Sequence, residues 1–151
     1  MSTATEEQIQ WLMDRAEIHD LIMAYARYVD TKDWEAFADL FADDGCIILP
    51  FGKLEKKNLA RSTANVLGPF QGTQHLFTNV SIRIDGDVAT TNHYLQATHV
   101  PSLAEGGSHA DIGGWYDNTC RRTSDGWKFV TVDLTFVWSG GIPFRPGDPN
   151  P

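Results

Sequence analysis

Basic residues are scarce in this chain, and their scarcity excludes several classes of protein. The sequence has 12 lysines and arginines against 20 aspartates and glutamates, which gives a formal net charge of −8 at pH 7. A charge of this sign opposes binding to the phosphates of nucleic acids and to anionic membranes. We therefore expect neither nucleic acid nor membrane as a partner.

Long apolar runs and cysteine motifs are also missing. No stretch is apolar over the roughly 20 residues that a membrane-spanning helix needs, and residues 1–10 are too polar and acidic for a secretory signal. Cys46 and Cys120 lie far apart and form neither a CxxC pair nor a metal-binding spacing. These absences predict a cytoplasmic protein with reduced thiols, and a length of 151 residues predicts one domain over 1–151.

The first third of the chain has the apolar spacing of helices. Residues 6–29 carry apolar side chains at intervals of three and four without a proline or glycine, which predicts one long helix or two helices meeting near Asp14. The predicted elements that follow are a helix from Trp34 to about Phe41, a turn at 43–45, a short strand at 46–49, a polar connection at 51–56 and a helix at 57–66.

The rest of the chain reads as strands. Alternating runs separated by Asp-Gly turns predict four long strands in a meander, at 74–85, 88–100, 113–122 and 127–138. Residues 139–151 are proline-rich and predict an extended tail. Helices followed by a meander indicate an α+β fold, in which a strongly curved antiparallel or mixed sheet wraps around the N-terminal helices as a cone. Such a cone encloses a cavity.

One histidine stands near the start of the first long strand. If that strand alternates throughout, His75 shares a face with Phe77 and Asn79, whereas Leu76 and Thr78 point the other way. An apolar wall with a few polar groups is typical of a small-molecule pocket. We therefore expect a pocket beside His75.

Four motifs in this order carry a resemblance to a known family. They are Asp-Thr-Lys-Asp-Trp at 30–34, Thr-Gln-His at 73–75, His99 near the end of the second long strand, and Gly-Trp-Lys-Phe at 126–129. Together they resemble the cone-shaped fold of nuclear transport factor 2 and, within it, the SnoaL-like group that includes scytalone dehydratase. The resemblance covers nearly the whole chain. It implies a cofactor-independent, dehydratase-like lyase that acts on a small apolar cyclic or aromatic substrate.

The resemblance also implies roles for three ionisable residues. His75 is the expected general base and acid, His99 the polariser or the proton donor to the leaving group, and Asp30 their orienting partner. A carboxylate beside an imidazole fixes its tautomer and raises the basicity of the other ring nitrogen, so no metal is required. Each residue also has a plainer interpretation: Asp30 as a helix cap, His75 as a wall residue and His99 as a surface residue.

Aromatic residues are expected to line the substrate pocket. The residues that we expect to contact substrate are Tyr25, Tyr116, Phe77, Asn79 and Trp138, with Phe37, Phe41 and Phe144 as further wall residues. Val29 and Leu49 stand where scytalone dehydratase carries tyrosines, and Gly114 and Tyr116 where it carries a serine and an asparagine. The resemblance therefore implies a substrate other than scytalone.

Alternative functions and an assembly remain open at this point. The same acid–base pair serves an isomerase, a cyclase or a dehydrohalogenase, and the fold also hosts non-catalytic small-molecule-binding proteins. Both faces of the predicted strands have apolar members, so one face fills the cone and the other needs covering. This predicts a homo-oligomer, with a trimer favoured and a dimer possible.

Overall fold

The computed structural model describes residues 5–104 and 107–143. These residues form helices that pack against one curved six-stranded sheet, which confirms the predicted α+β class. In chain order the elements are α1 (Glu6–Thr31), α2 (Trp34–Asp39), β1 (Phe41–Leu49), β2 (Gly52–Glu55), α3 (Lys56–Leu67), β3 (Gly72–Asp85), β4 (Val88–Val100), β5 (Ala110–Thr123) and β6 (Gly126–Gly141). No helix of the described ranges is long and apolar enough to cross a membrane.

Helix α1 supplies one wall of the core. It begins at a capping box, in which the Thr5 hydroxyl accepts from the Gln8 amide and the Gln8 side chain accepts from the Thr5 amide. It runs without a break at Asp14 and ends where Lys32 adopts a left-handed conformation with φ of 60°. Its buried apolar side chains are Ile18, Leu21, Ile22, Tyr25 and Val29. Because these residues recur at threes and fours, they form one stripe that faces the sheet.

The sheet is mixed, in the order β2-β1-β6-β5-β4-β3. Only β1 and β6 pair in parallel among the described strands, and every other neighbouring pair is antiparallel. The β3–β4 hairpin turns at Gly86, whose φ of 58° suits glycine. Strands β3 and β4 therefore lie at one edge of the sheet and β1 and β2 at the other, a separation that matters for the cavity.

The region around residues 40–56 differs from its prediction. Helix α2 ends at Asp39, and Phe41 already belongs to β1. Residues 43–45, predicted as a turn, lie inside β1 at an irregularity of its pairing with β6. Strand β2 replaces the predicted polar connection and pairs with the second half of β1. A polar edge strand of four residues is too short to show a periodic apolar pattern, so the sequence gives no signal for it.

Strand β3 contains a bulge that reverses its two faces. Thr78 pairs with Tyr94 and Ser81 with Asn92, so two residues of β3 oppose one residue of β4. Asn79 takes the strained position, with φ of 57°. Before the bulge Thr73, His75 and Phe77 face the interior; after it Val80, Ile82 and Ile84 do. The expected continuous alternation is therefore wrong, and Asn79 is exposed.

A second bulge acts on β6. Gly113 pairs with Trp138 and Gly114 with Phe136, which leaves Val137 as the extra residue. Beyond it Trp138 turns to the outer face of the sheet, where its ring lies against Gly113. Strand β6 continues to Gly141, so residues 139–141, expected in the tail, pair with β5. Phe144 and the remainder of the expected tail lie outside the described residues.

Candidate active site

Asp30 lies in the last turn of α1, where its carboxylate faces the first residues of β3. One oxygen accepts from the Thr73 hydroxyl at 2.9 Å and from the His75 ring Nδ1 at 2.7 Å. The other accepts from the His75 backbone amide at 2.9 Å. The cap of α2 is instead Asp33, which accepts from the Ala36 amide at 3.2 Å. The helix-cap interpretation of Asp30 is therefore wrong.

These hydrogen bonds determine the protonation pattern of the pair. Burial raises the pKa of Asp30, but the His75 ring, the His75 amide and the Thr73 hydroxyl outweigh it and lower that pKa below its usual value. An ionised carboxylate only accepts, so Nδ1 of His75 carries the proton that they share. In the neutral ring Nε2 is then unprotonated. The His75 side chain is 6% exposed and lines a cavity, which gives Nε2 access to a ligand.

His99 lies beside His75 on the neighbouring strand. The two ring centroids are 5.5 Å apart and the rings are nearly perpendicular, at 88°. Nδ1 of His99 donates to the Ala110 carbonyl at 3.3 Å, because a carbonyl only accepts. Burial, followed by the nearby His75 ring, lowers the pKa of His99 to about 4. His99 is 1% exposed, so the surface interpretation of this residue is wrong.

The histidines open onto an apolar cavity of about 140 Å³. Its lining residues are Tyr25, Val29, Phe37, Leu49, Phe51, Leu54, Ser62, Thr63, Val66, Leu67, His75, His99, Ile112, Tyr116, Leu134 and Phe136. None of them is an aspartate, glutamate, lysine or arginine. The cavity therefore suits an uncharged molecule, with the histidines and a few hydroxyl groups as its polar contacts.

Two phenols stand in the wall near the histidines. Burial, followed by the proximity of Tyr116, raises the pKa of Tyr25 well above its usual value. Burial raises the pKa of Tyr116 to about 12. Both phenols are therefore protonated at neutral pH. The rings of Tyr25 and Tyr116 have centroids 5.6 Å apart and enclose the same part of the cavity.

The other predicted contact residues lie elsewhere. Phe77 packs behind the wall, with its ring centroid 5.6 Å from Tyr25 and 4.6 Å from His93. Asn79 is exposed at the bulge of β3, and Trp138 borders a groove on the outer face of the sheet. Phe41 belongs to the core and not to the lining. The bulges explain two of these four differences, because the bulge in β3 exposes Asn79 and the bulge in β6 turns Trp138 to the outer face.

Several lining residues were not identified from the sequence. Helix α3 supplies Ser62, Thr63, Val66 and Leu67, and β2 with its turn supplies Phe51 and Leu54. The helical spacing of Leu59, Thr63 and Val66 was a usable signal for one inward face of α3. Val29, Leu49 and Tyr116, named as departures from scytalone dehydratase, all line the cavity, so the departures bear directly on what it can bind.

Fold and site together define a protein of the nuclear transport factor 2-like type, with two histidines on an apolar cavity and an acidic residue hydrogen-bonded to one of them. A SnoaL-like domain model matches residues 10–133. The chain belongs to this SnoaL-like family, as the motifs predicted.

The chain is also similar to other proteins in sequence and in structure. The uncharacterized protein Rv2910c of Mycobacterium tuberculosis is 27% identical over 124 residues, which cover 79% of this chain and 82% of that protein. A candidate scytalone dehydratase from Novosphingobium aromaticivorans superposes with a TM-score of 0.78 at 20% identity, covering 92% and 94% of the two chains. A type 2 hexachlorocyclohexane dehydrochlorinase, LinA, gives 0.78 at 23% identity, covering 93% and 98%. At these identities the two structures support the fold alone.

Proposed function

We propose that the chain is a cofactor-independent lyase of the dehydratase type. Asp30, His75 and His99 carry general acid–base catalysis on a small, uncharged cyclic substrate. The observation that supports this most is the 2.7 Å hydrogen bond between Asp30 and Nδ1 of His75, because it leaves the basic Nε2 on the wall of an apolar cavity.

The reaction begins with proton transfer to His75. Nε2 takes a proton from a carbon next to a carbonyl group, and the electrons of that C–H bond form a C=C bond as the neighbouring C–O bond breaks. His75 returns the proton to the departing hydroxyl, which leaves as water. Asp30 stabilises the imidazolium between the two transfers, and catalysis of this kind contributes about 10²–10⁴-fold.

His99 takes an orienting role in this reaction. The resemblance implies either a polariser or a proton donor, and a pKa of about 4 favours the first because the ring is neutral near pH 7. With Nδ1 donating to the Ala110 carbonyl, Nε2 acts as a hydrogen-bond acceptor. We assign it to the hydroxyl that leaves, whose oxygen it turns towards His75.

The phenol of Tyr116 is the proposed partner of the substrate carbonyl. A hydrogen bond with Tyr116 contributes to the raised pKa of Tyr25, and the same bond opposes the rise of the Tyr116 pKa, so Tyr25 donates to Tyr116. Tyr116 stays protonated at neutral pH and can donate to a carbonyl oxygen on which negative charge develops. This donation would acidify the neighbouring C–H bond without any ionised side chain in the lining.

A cyclic ketone with a hydroxyl group on its β-carbon is a suitable substrate for testing the proposal. We choose 3-hydroxycyclohexanone, whose dehydration gives a conjugated enone that absorbs in the ultraviolet and is lighter by one water. His75→Ala should retain the fold by circular dichroism and slow turnover by about 10²–10⁴-fold. His19→Ala, at an exposed histidine of α1, should turn over like the wild type. Equal turnover by His75→Ala would end the proposal.

Product analysis separates the related reactions. A product of unchanged mass would identify an isomerase or cyclase that uses the same base. Chloride release from a chlorinated cyclohexane would identify a dehydrohalogenase, the activity that the name of LinA states for that protein. Both outcomes keep His75 as the base; the first has no leaving group, and in the second chloride takes the place of the hydroxyl.

We also propose a homo-oligomer, with a trimer favoured over a dimer. Exposed apolar side chains on the outer face of the sheet support it, and they share one groove: Leu76, Tyr94, Val137 and Trp138. Light scattering after size exclusion should give a multiple of the 16.8 kDa chain mass. Trp138→Glu should shift the particle to a monomer, whereas a monomeric wild type would contradict the proposal.

A further inference from the structure

Helix α3 presents two neighbouring hydroxyl side chains, Ser62 and Thr63, to the cavity. Hydroxyls inside helices often bond to the carbonyl four residues earlier, as Thr31 does to Arg27 at 2.8 Å. Among the described residues, neither the Ser62 nor the Thr63 side-chain hydroxyl makes such a bond or any other hydrogen bond. Their hydrogen-bonding capacity is therefore available to a ligand.

The Thr63 hydroxyl has its remaining accessible surface towards the cavity. Thr63 is 8% exposed, so its side chain is almost fully enclosed. The described atoms that are fully enclosed and lack a hydrogen-bond partner are His93 Nε2 and Asn118 Oδ1, and the Thr63 oxygen is not one of them. That oxygen is therefore accessible, and the cavity is what Thr63 lines. An unpartnered hydroxyl in such a place costs stability unless water or a ligand bonds to it.

The two hydroxyls enter the cavity from a helix that packs at the other edge of the sheet from the strands of the histidines. Helix α3 packs against α2, β1 and β2, at one edge of the sheet. His75 and His99 belong to β3 and β4, at the other edge. The cavity therefore has polar groups on two walls, one for proton transfer and one made of neutral hydroxyls, and we call these two walls its ends.

Between these ends the cavity is apolar and small. Val29, Phe37 and Leu134 are among the residues that line it, and its volume is about 140 Å³. A cavity of about 150 Å³ in another protein binds one benzene molecule. One six-membered ring therefore fills the space between the ends.

We propose that Ser62 and Thr63 form a subsite for an oxygen at the end of the ligand remote from the histidines. The ligand class is an uncharged, single six-membered ring with an oxygen substituent at each end. A hydroxyl side chain both donates and accepts, so the subsite takes either a carbonyl or a hydroxyl oxygen. Which end of the ligand reacts rests on the proposed function; the existence of the subsite does not.

Two probes of equal shape test the subsite. Hydroquinone, kept reduced, has a hydroxyl at each end, and 4-methylphenol replaces one hydroxyl by a methyl group. Calorimetric titration of the wild type should show about 3- to 10-fold tighter binding of hydroquinone, since one net hydrogen bond distinguishes the two probes. Equal affinities in the wild type would overturn the proposal.

Variants locate the source of that preference. The Ser62→Ala/Thr63→Val double variant removes both hydroxyls with little change of shape and should bind the two probes equally. Thr90→Val, at an exposed position of β4, should keep the preference. A preference that survives in the double variant but is lost in His75→Gln would place the second oxygen at the histidines and refute the subsite.

The result is separable from catalysis. An Asp30→Asn variant should keep the hydroquinone preference even where turnover is lost, because Asp30 is not part of the lining. If no elimination is found with any substrate but the preference depends on Ser62 and Thr63, the proposed reaction fails and the subsite stands. If turnover is found and the preference is absent, the subsite fails alone.

Discussion

Replacing Asp30 by asparagine removes the negative charge of the candidate site and keeps the size of the side chain. The carboxylate accepts three hydrogen bonds, two of them from His75 and one from Thr73. An amide has the same size but offers one accepting oxygen and one donating nitrogen. One of the three donors therefore meets an N–H group, or the His75 ring changes its tautomer to avoid it.

The expected loss follows from the hydrogen bond between Asp30 and His75. A hydrogen bond to a charged group contributes about 1.5–3 kcal/mol, and losing that much from the transition state slows turnover by about 10- to 150-fold. A change of tautomer adds to this, because Nε2 then carries a proton and cannot act as the base. We expect a fall in kcat near or above the upper end, with KM little changed.

Asp33→Asn is the matched control. It makes the same substitution three residues along the chain, at the cap of α2, where asparagine caps about as well as aspartate. The assay is turnover of the best substrate found for the wild type, with thermal unfolding of all three proteins. If Asp30→Asn turns over within about twofold of Asp33→Asn, the carboxylate does not assist His75 and the reasoning of this site fails.

Two further predictions concern a buried ion pair near the start of α1 and an anchor beside His99. Asp14 is buried, and a hydrogen bond from Arg122 lowers its pKa to about 2 despite burial. The ionised carboxylate therefore stabilises the folded state fully above the pKa of about 3.9 that aspartate has in an unfolded chain. This stabilisation is lost as the pH falls through about 2. Asp14→Asn should therefore lower the free energy of unfolding by about 2 kcal/mol at neutral pH, and denaturant titrations should show this difference shrinking towards pH 2, whereas a pH-independent difference would contradict the linkage. Lys32 donates to the Gly68 carbonyl at 3.1 Å and to the Phe70 carbonyl at 2.5 Å, and the Phe70 ring packs on His99 with centroids 5.2 Å apart. Lys32→Met should lower kcat by several-fold and alter its pH profile, and a variant with wild-type kinetics would show that this anchor does not position His99.

The sequence predicts an element well when the residues that mark its beginning and end are its close neighbours in the chain. The bounds of β4 are those predicted, because a proline follows it and a glycine turn precedes it. The pairing of Asp30 with His75 needed the family resemblance, since the two residues are 45 positions apart in the chain. Nothing in the spacing alone distinguishes that carboxylate from a helix cap.

Two of the wrong expectations have a common physical origin. Alternation along β3 predicts Asn79 on the cavity face and the family resemblance predicts Trp138 there, but each residue lies at or just beyond a bulge. A bulge depends on how two strands pair across the sheet, so it leaves little trace in either strand alone. The α3 hydroxyls escape prediction for a related reason. A serine and a threonine in a polar helix are usually solvent-exposed, and only the packing of β1 and β2 against α3 shows that these two are not.

The tautomer of His75 tests the central claim most directly. Nitrogen NMR of protein labelled in its histidine rings, with the His75 signals assigned by their loss in His75→Gln, reports which ring nitrogen carries the proton in the neutral form. Our account predicts a protonated Nδ1 and a bare Nε2 in the wild type, because Asp30 accepts from Nδ1. A neutral ring with its proton on Nε2 would contradict it, since that nitrogen could not then take a proton from a substrate.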